Sequence, residues 1–266
     1  MTRRILIIGA TGNFGRRIAR RLARHNEAGL ILTSRDKHRA EALVQQLQNE
    51  FPTADLQSAA LDQASDDLAT SLKRAGASVV IHTAGPYQGQ DFRVARACIE
   101  CGCHYVDLAD SRDFVVNFKA LDDEATQRDL LLVTGASTLP GLSGAVIEHH
   151  KSGFATLEGI DISIAPGHRT PRGRGTVAAV LSYCGQPITV LQDGAWKRVF
   201  GWQDWRVFRY PHMRSRIGGA CDVPDLALLP DLYPDLETVR FHAALEAPWE
   251  QTALWLMAAL TRMRIV

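Results

Sequence analysis

The first apolar segment of the chain is a run of four aliphatic residues, Ile5–Ile8, with no polar residue inside it. Such a run is typical of a strand that is buried on both faces, as in a parallel sheet covered by helices. In the next segment the apolar residues share one face of a helix, with arginines on the other face: Phe14, Ile18, Ala19, Leu22 and Ala23. The pattern predicts a buried strand followed directly by an amphipathic helix.

These two patterns then alternate up to residue 136. Apolar runs predict five further strands, over Gly29–Thr33, Asp55–Leu61, Ser78–His82, His104–Leu108 and Leu130–Thr134. Helical periodicity predicts the segments between them as helices: Lys37–Asn49, Asp66–Ala75, Gly89–Cys101 and Ser111–Gln127. Short strands that alternate with longer helices indicate parallel βαβ units. We therefore expect residues 1–136 to form an α/β domain, a Rossmann-type doubly wound parallel sheet.

The pattern changes after Ser137. The segment Leu157–Ala165 alternates isoleucines with polar residues, which favours a half-exposed strand of the antiparallel kind. Trp196–Tyr210 alternates in the same way and is predicted as a strand or a hairpin. Helices are predicted over 142–150, 176–182 and 250–262. We expect residues 137–266 to form a smaller α+β domain for substrate binding or dimerisation. This domain is a candidate for incompleteness, because the last helical pattern lacks a stop signal.

Composition narrows the function classes. The 266 residues are 46% apolar with a formal net charge of +1, so no overall field draws the protein to nucleic acid. The chain enters a strand at once, which leaves no room for a signal sequence, and the late apolar run Ala253–Leu260 is too short to span a bilayer. We therefore expect no transmembrane segment. Five cysteines, an odd number, favour reduced thiols and a cytoplasmic location. Cys98, Cys101 and Cys103 have no second ligand pair nearby, so we expect no metal site.

Three glycines follow the first strand at three-residue spacing: Gly9, Gly12 and Gly15. A tight turn from a strand into a helix needs glycine where a Cβ would clash, and the helix N-terminus then presents its amides to a diphosphate. The glycines alone are a weak signal, but the strand before them and the helix after them strengthen it. We predict a dinucleotide-binding turn, to which Thr11, Asn13 and Phe14 also contribute.

The end of the second strand bears on which dinucleotide is bound. An acidic residue there would hold the ribose 2′-hydroxyl of NAD, whereas the sequence has Ser34-Arg35, which favours the 2′-phosphate of NADP. Asp36 would occupy the position if the strand ended two residues later, and this would favour NAD. Further contacts are expected from Asp62 to the adenine. Ala84, Gly85 and Pro86 are expected to contact the central ribose and phosphate.

Several of these motifs together resemble the NADP-binding domain of the saccharopine dehydrogenase-like family. They are Gly9–Gly15, Thr33–Arg35, Ala84–Tyr87, Ala97-Cys98 with Gly102, Tyr105–Asp107 and Gly135–Gly141, and the resemblance covers about residues 4 to 144. It implies NADP(H)-dependent hydride transfer to or from a small substrate between two domains. Family members act on amino-acid-derived imines or unsaturated lipid-type substrates. They also usually run well beyond this chain's length, which favours a short or truncated member.

The catalytic residues are not evident from the sequence. None of Tyr87, Tyr105, Tyr183 and Tyr210 has the lysine four residues later that a short-chain dehydrogenase would place there. Asp107 is the main candidate catalytic residue and Asp110 a weaker one, although aspartates are also common helix caps. Two functions remain open: an NADP-dependent oxidoreductase, and a non-catalytic NADP(H)-binding module or redox sensor. The aromatic segment Trp196–Trp205 is a candidate surface for a homodimer.

Overall fold

The computed structural model describes residues 3–265, with the side chain of Arg174 outside the description. The chain divides into two compact units. The first contains residues 1–109 and 117–136, and the second contains residues 110–116 and 137–266. Each unit has its own sheet. Residues 110–116 are part of the second unit because Arg112 forms an ion pair with Asp222 and donates a hydrogen bond to the Thr189 carbonyl oxygen (2.9 Å).

The first unit is built on a six-stranded sheet in the order β3-β2-β1-β4-β5-β6. The strands are β1 (Arg4–Ile8), β2 (Gly29–Ser34), β3 (Leu56–Ala60), β4 (Val79–His82), β5 (His104–Asp107) and β6 (Leu132–Val133). All neighbouring pairs are parallel. The strand order reverses between β1 and β4, which is the topological switch point of a doubly wound fold. The predicted fold class is therefore confirmed.

The helices that follow these strands are α1 (Asn13–His25), α2 (Lys37–Glu50), α3 (Leu68–Ala75), α4 (Arg93–Cys101), α5 (Arg112–Asn117) and α6 (Asp122–Thr126). The prediction of one helix over Ser111–Gln127 is wrong, because a 3₁₀ turn at Phe118–Leu121 separates α5 from α6. Asn117 before the turn favours a helix end, and three consecutive acidic residues from Asp122 favour a new helix start. The apolar periodicity continues across the break and therefore did not reveal it.

One hydrophobic core of the first unit lies between β1, β2 and helices α1 and α2. Leu32 in β2 and Ile7 in β1 are fully buried, and Ala19 and Ala23 bring the inner face of α1 close to the sheet. Leu43 and Leu47 form the buried face of α2. Each fully buried aliphatic side chain stabilises the fold by about 1.5–3 kcal/mol. The packing therefore fixes α1 and α2 against the sheet.

Besides most of α5, the second unit contains a mixed sheet and four further α-helices among the described residues. Its strands are β7 (Gly159–Ile164), β8 (Pro187–Gln192), β9 (Ala195–Phe200), β10 (Arg206–Phe208), β11 (Arg216–Ala220) and β12 (Thr238–Ala243). Its helices are α7 (Ser143–His150), α8 (Arg174–Ser182), α9 (Asp225–Leu232) and α10 (Pro248–Arg262). The sheet order is β10-β11-β12-β8-β9, and β7 pairs with β12. This unit has the predicted α+β character.

Two predictions for the second unit are wrong. The strand predicted as antiparallel at Leu157–Ala165 is β7, and it pairs with β12 in parallel over its whole length. Alternation reports one half-exposed face but not the direction of a distant partner strand. The segment Trp196–Tyr210 is neither one strand nor a hairpin, since β9 pairs with β8 and β10 pairs with β11. Trp196 and Trp205 in this segment remain more than half exposed.

Within residues 3–265, no helix has both the length and the apolarity needed to cross a membrane.

Candidate cofactor-binding site

The turn between β1 and α1 has no room for side chains at two of its glycines. Gly9 has a φ of +76°, a conformation that favours glycine, and a Cβ there would lie 3.0 Å from the Ala84 Cβ. A Cβ on Gly15 would overlap the Gly9 carbonyl oxygen and lie 2.7 Å from Thr83 Oγ1. Thr83 holds the turn by donating to the carbonyl oxygens of Ile8 (2.8 Å) and Gly9 (3.2 Å). The head of α1 is therefore pressed against the end of β4.

Helix α1 begins with exposed backbone rather than with a side-chain cap. Its N-cap is Gly12, which makes no side-chain capping bond, and the first turn contains no acidic residue. A Cβ on Gly12 would meet only the Gly9 carbonyl oxygen, at 3.1 Å. The first amides of a helix have no intrahelical acceptors, and the helix dipole favours an anion beside them. Phe14, in the same turn, is half exposed, although it belongs to the apolar face of the predicted helix.

The end of β2 lies next to this turn. Thr11 Oγ1 donates to Ser34 Oγ (3.4 Å), and Ser34 Oγ also accepts from the Asp36 amide (3.3 Å). β2 ends at Ser34, so that Arg35 is the first residue after the strand and is exposed. Asp36 is the N-cap of α2, where its carboxylate accepts from the His38 amide (2.9 Å). The Asp36 carboxylate thus has a structural partner of its own, and this weakens the reading in which it holds a ribose hydroxyl.

The other predicted contact residues lie at the ends of β3 and β4. Asp62 is exposed, and its carboxylate accepts from the Ala64 amide (3.0 Å). After β4, Ala84 packs on Gly9, whereas Gly85 and Pro86 are exposed. The Ala84 carbonyl oxygen accepts from the side-chain amides of Gln63 (3.4 Å) and Gln90 (3.0 Å). The structure thus brings Thr11 to Ser34 and Gly9 to Ala84. Arg35, just after β2, and Asp62, just after β3, are exposed.

The sequence analysis did not identify a group of polar side chains that meet at the end of β4. His82, at the end of β4, is 1% exposed, and its ring nitrogens lie 3.0 Å from Tyr105 Oη and 2.7 Å from Gln63 Oε1. Burial lowers the pKa of His82 to about 4. The sequence signal that could have revealed this group is a histidine at the end of an otherwise apolar strand. A polar residue in a buried strand is unusual and therefore informative.

Asp107, the predicted catalytic candidate, is fully buried at the end of β5. Its Oδ1 atom accepts from the Gly135 amide (2.8 Å), the Ala109 amide (2.9 Å) and the Thr134 hydroxyl (3.0 Å). Burial nevertheless raises the pKa of this carboxyl, against the effect of those three donors. Its catalytic role remains a prediction.

Two cysteines, at the end of α4 and just before β5, donate hydrogen bonds to backbone carbonyl oxygens. The Cys101 and Cys103 thiols donate to the carbonyl oxygens of Ala69 (3.0 Å) and Ala77 (3.1 Å), and burial raises the pKa of both. Among the described residues, no group of three or more His, Cys, Asp or Glu side chains is arranged to hold a metal ion.

A glycine turn that excludes side chains, at the switch point of a doubly wound parallel sheet, defines the first unit as a dinucleotide-binding domain. Residues 5–133 match the sequence profile of the family described as the saccharopine dehydrogenase NADP binding domain. This part of the chain is therefore a saccharopine dehydrogenase-type NADP-binding domain, and the predicted resemblance is confirmed. NADP as the predicted cofactor is confirmed at the level of this family.

One of the matching solved structures, a saccharopine dehydrogenase, supports the fold. Saccharopine dehydrogenase (L-Glu forming) from Saccharomyces cerevisiae superimposes with a TM-score of 0.67 at 18% identity, covering 91% of this chain and 55% of that chain. This chain thus spans about half the length of that enzyme. A short-chain dehydrogenase from Sphingobium yanoikuyae in complex with NADPH matches with a TM-score of 0.36 at 18% identity, covering 56% of this chain and 84% of that one. Curated protein sequences gave no match.

Proposed function

We propose that this protein is an NADP(H)-dependent oxidoreductase of the saccharopine dehydrogenase-like type, which transfers a hydride to or from a small substrate. The observation that carries the proposal is the turn at the head of α1, where Gly9 and Gly15 leave no space for a Cβ. Because backbone can approach a diphosphate closely only where side chains are absent, this turn suits a dinucleotide. The family of the first unit supports the same conclusion.

Within this proposal, the amides of Phe14 and Gly15 at the start of α1 bind the diphosphate. Ser34 and Arg35 bind the 2′-phosphate of the adenosine ribose. Ser34 Oγ already accepts two hydrogen bonds, from Thr11 and Asp36, so its own hydroxyl proton is left to donate. Arg35 makes no ion pair within residues 3–265, and its guanidinium is exposed. A charge-assisted bond from this guanidinium to the phosphate contributes about 1.5–3 kcal/mol.

The cofactor, when bound, supplies the hydride from its nicotinamide ring, and the protein supplies position and electrostatics. Reduction of a C=N or activated C=C bond adds that hydride to carbon and one proton to the other atom of the bond. The substrate class proposed from the family is therefore an amino-acid-derived imine or an unsaturated lipid-type compound.

The first test removes the guanidinium that we assign to the 2′-phosphate. Arg35→Ala should weaken NADPH binding about ten- to a hundredfold, because one charge-assisted contact is lost, and should change NADH binding less than about threefold. Dissociation constants from titration calorimetry measure both. A matched control is Arg24→Ala, which removes an exposed charge at the far end of α1 and should change neither constant. Equal losses for NADPH and NADH in Arg35→Ala would contradict the assignment.

The second test separates an enzyme from a binding module. NADPH oxidation is followed by its absorbance with a panel of imines and enoyl compounds as substrates. Turnover of any compound supports the oxidoreductase. Tight NADPH binding without oxidation across the panel would favour the alternative, a non-catalytic NADP(H)-binding module or redox sensor.

A further inference from the structure

Three buried polar side chains project from one face of the first sheet, on the β4–β5 side of the switch point. His82 and Asp107 are direct register partners across β4 and β5, and Tyr105 lies two residues before Asp107 on the same face. The exposed fractions of His82, Tyr105 and Asp107 are 1%, 0% and 0%. Together with Gln63, which contacts His82 from the segment after β3, we call these residues the proton network.

The directions of the hydrogen bonds follow from the end of the network at Gln63. Gln63 Nε2 donates to the Ala84 carbonyl oxygen, so Gln63 Oε1 faces His82 and can only accept. His82 Nε2 must therefore carry a proton. A neutral imidazole has one N–H, which leaves Nδ1 as an acceptor of the Tyr105 hydroxyl proton (3.0 Å).

At the other end of the network, one carboxylate oxygen of Asp107 lacks a hydrogen-bond donor. Asp107 Oδ1 has three donors, whereas Oδ2 is buried and has no hydrogen-bond partner. The Tyr105 hydroxyl interacts with the same carboxyl. Because Tyr105 has a single proton, it can serve His82 Nδ1 or an ionised Asp107, but not both. A proton on Asp107 Oδ2 removes the buried charge and leaves the Tyr105 proton to His82 Nδ1.

Two further titratable side chains, Tyr87 and Cys98, lie around the network. Tyr87 Oη donates to the His82 carbonyl oxygen (2.7 Å) from the segment after β4. The Cys98 thiol interacts with Tyr105 from α4, and burial raises its pKa. Burial lowers the pKa of His82 to about 4 and raises that of Asp107. Asp107, whose Oδ2 atom is buried without a donor, is the member of the network to which we assign the additional proton.

We propose that the proton network sets the relative affinity of the protein for oxidised and reduced cofactor, with Asp107 as the residue that senses their difference in charge. The nicotinamide ring is positively charged in NADP⁺ and neutral in NADPH. In a doubly wound fold the second half of the dinucleotide lies beyond the switch point, over the ends of β4, β5 and β6, where Asp107 is held. Ionised Asp107 therefore favours NADP⁺, and protonated Asp107 favours NADPH. This inference rests on the proposed cofactor site.

The test compares the two cofactor forms as the pH changes. The ratio of the NADPH to the NADP⁺ dissociation constant, measured by calorimetry at intervals from pH 4.5 to pH 8, should rise at least threefold as Asp107 ionises in the wild-type protein. Titration of the 2′-phosphate is common to both forms and cancels from the ratio. Asp107→Asn should make the ratio independent of pH. Tyr105→Phe should shift the midpoint, whereas the matched control Tyr183→Phe removes a tyrosine hydroxyl in the second unit and should not.

A pH-independent ratio in the wild-type protein, or an unchanged pH dependence in Asp107→Asn, would overturn the proposal. If Asp107→Asn does not fold, NMR of the cofactor-free wild type decides. The Asp107 carboxyl should then titrate above its ordinary value of 3.8, and His82 should be the Nε2–H tautomer. A carboxyl that titrates at or below that value overturns the proton network. Failure of both nucleotides to bind overturns the proposed function instead, and the NMR result distinguishes the two cases.

Discussion

The imidazole of His82 is enclosed at the end of β4, and this enclosure makes the stability of the first unit depend on pH. Its pKa is lowered from 6.5 to about 4 in the folded protein because burial disfavours the charged ring. Between these two values the unfolded chain binds a proton that the folded chain does not, so stability falls as the pH falls through this window. The loss reaches about 3 kcal/mol near pH 4.

This dependence can be measured by urea unfolding at pH 7, 5.5 and 4.5. His82→Gln, which does not titrate, should lose less stability than the wild type on acidification. The ionisation of Asp107 acts in the opposite direction in both proteins. His149→Gln, on an exposed turn of α7, is the matched control and should follow the wild type. Parallel curves for His82→Gln and the wild type would show that His82 is not held neutral.

At the residue scale the sequence indicated some positions better than others. Gly9 and Gly15 were identified from spacing, because the requirement for a missing Cβ is local to the turn. The competing roles of Arg35 and Asp36 could not be separated, since they depend on where β2 ends and on whether Asp36 caps α2. His82, Tyr105 and Gln63 come together only through strand pairing.

At the scale of elements, β11 shows how small residues make room for a neighbouring strand. A Cβ on Gly218 would lie 2.7 Å from Phe208 Cε2 and 3.2 Å from His242 Cβ, so the Phe208 ring of β10 crosses β11 at this glycine. Gly218→Ala should destabilise the protein by about 1–3 kcal/mol through overpacking. Urea unfolding measures the change.

The matched control for this prediction is Gly159→Ala in β7, where the added Cβ would meet its first neighbour at 3.9 Å. This variant should be neutral or slightly stabilising, because alanine restricts the unfolded chain more than glycine does. A cost for Gly159→Ala equal to that for Gly218→Ala would mean that the Phe208 ring does not determine the effect.

Element prediction succeeded in the first unit and was partial in the second. Parallel strands buried on both faces are continuous apolar runs, which are easily recognised. In the second unit β8, β11, α9 and β12 were not predicted. β11 contains two adjacent glycines, α9 has a proline inside it, and β12 includes the buried polar residue His242. Each of these residues weakens the local signal, and long-range packing compensates for it in the folded chain.

At the scale of the whole molecule, two separate cores allow stability and cofactor binding to be changed independently. Leu226 in α9 is fully buried in the core of the second unit, whereas every proposed cofactor contact comes from the first. Leu226→Ala should cost about 2–5 kcal/mol, as large-to-small core substitutions do, and leave the NADPH dissociation constant unchanged. Thermal or urea unfolding and calorimetry measure the two quantities.

The control is Leu232→Ala, near the end of the same helix, where the side chain is 68% exposed and its loss should cost little. A large change in NADPH affinity in Leu226→Ala, with the protein still folded, would show that the second unit contributes to cofactor binding.

The sequence by itself determined the doubly wound fold of the first unit, its dinucleotide turn and the family of its NADP-binding domain, because these depend on local periodicity and on glycines close together in the chain. Only the tertiary structure decided the parallel pairing of β7 with β12 and the meeting of Gln63, His82, Tyr105 and Asp107. Such contacts join residues that are distant in sequence, and their partners are chosen by packing and burial of the whole sheet rather than by any local pattern.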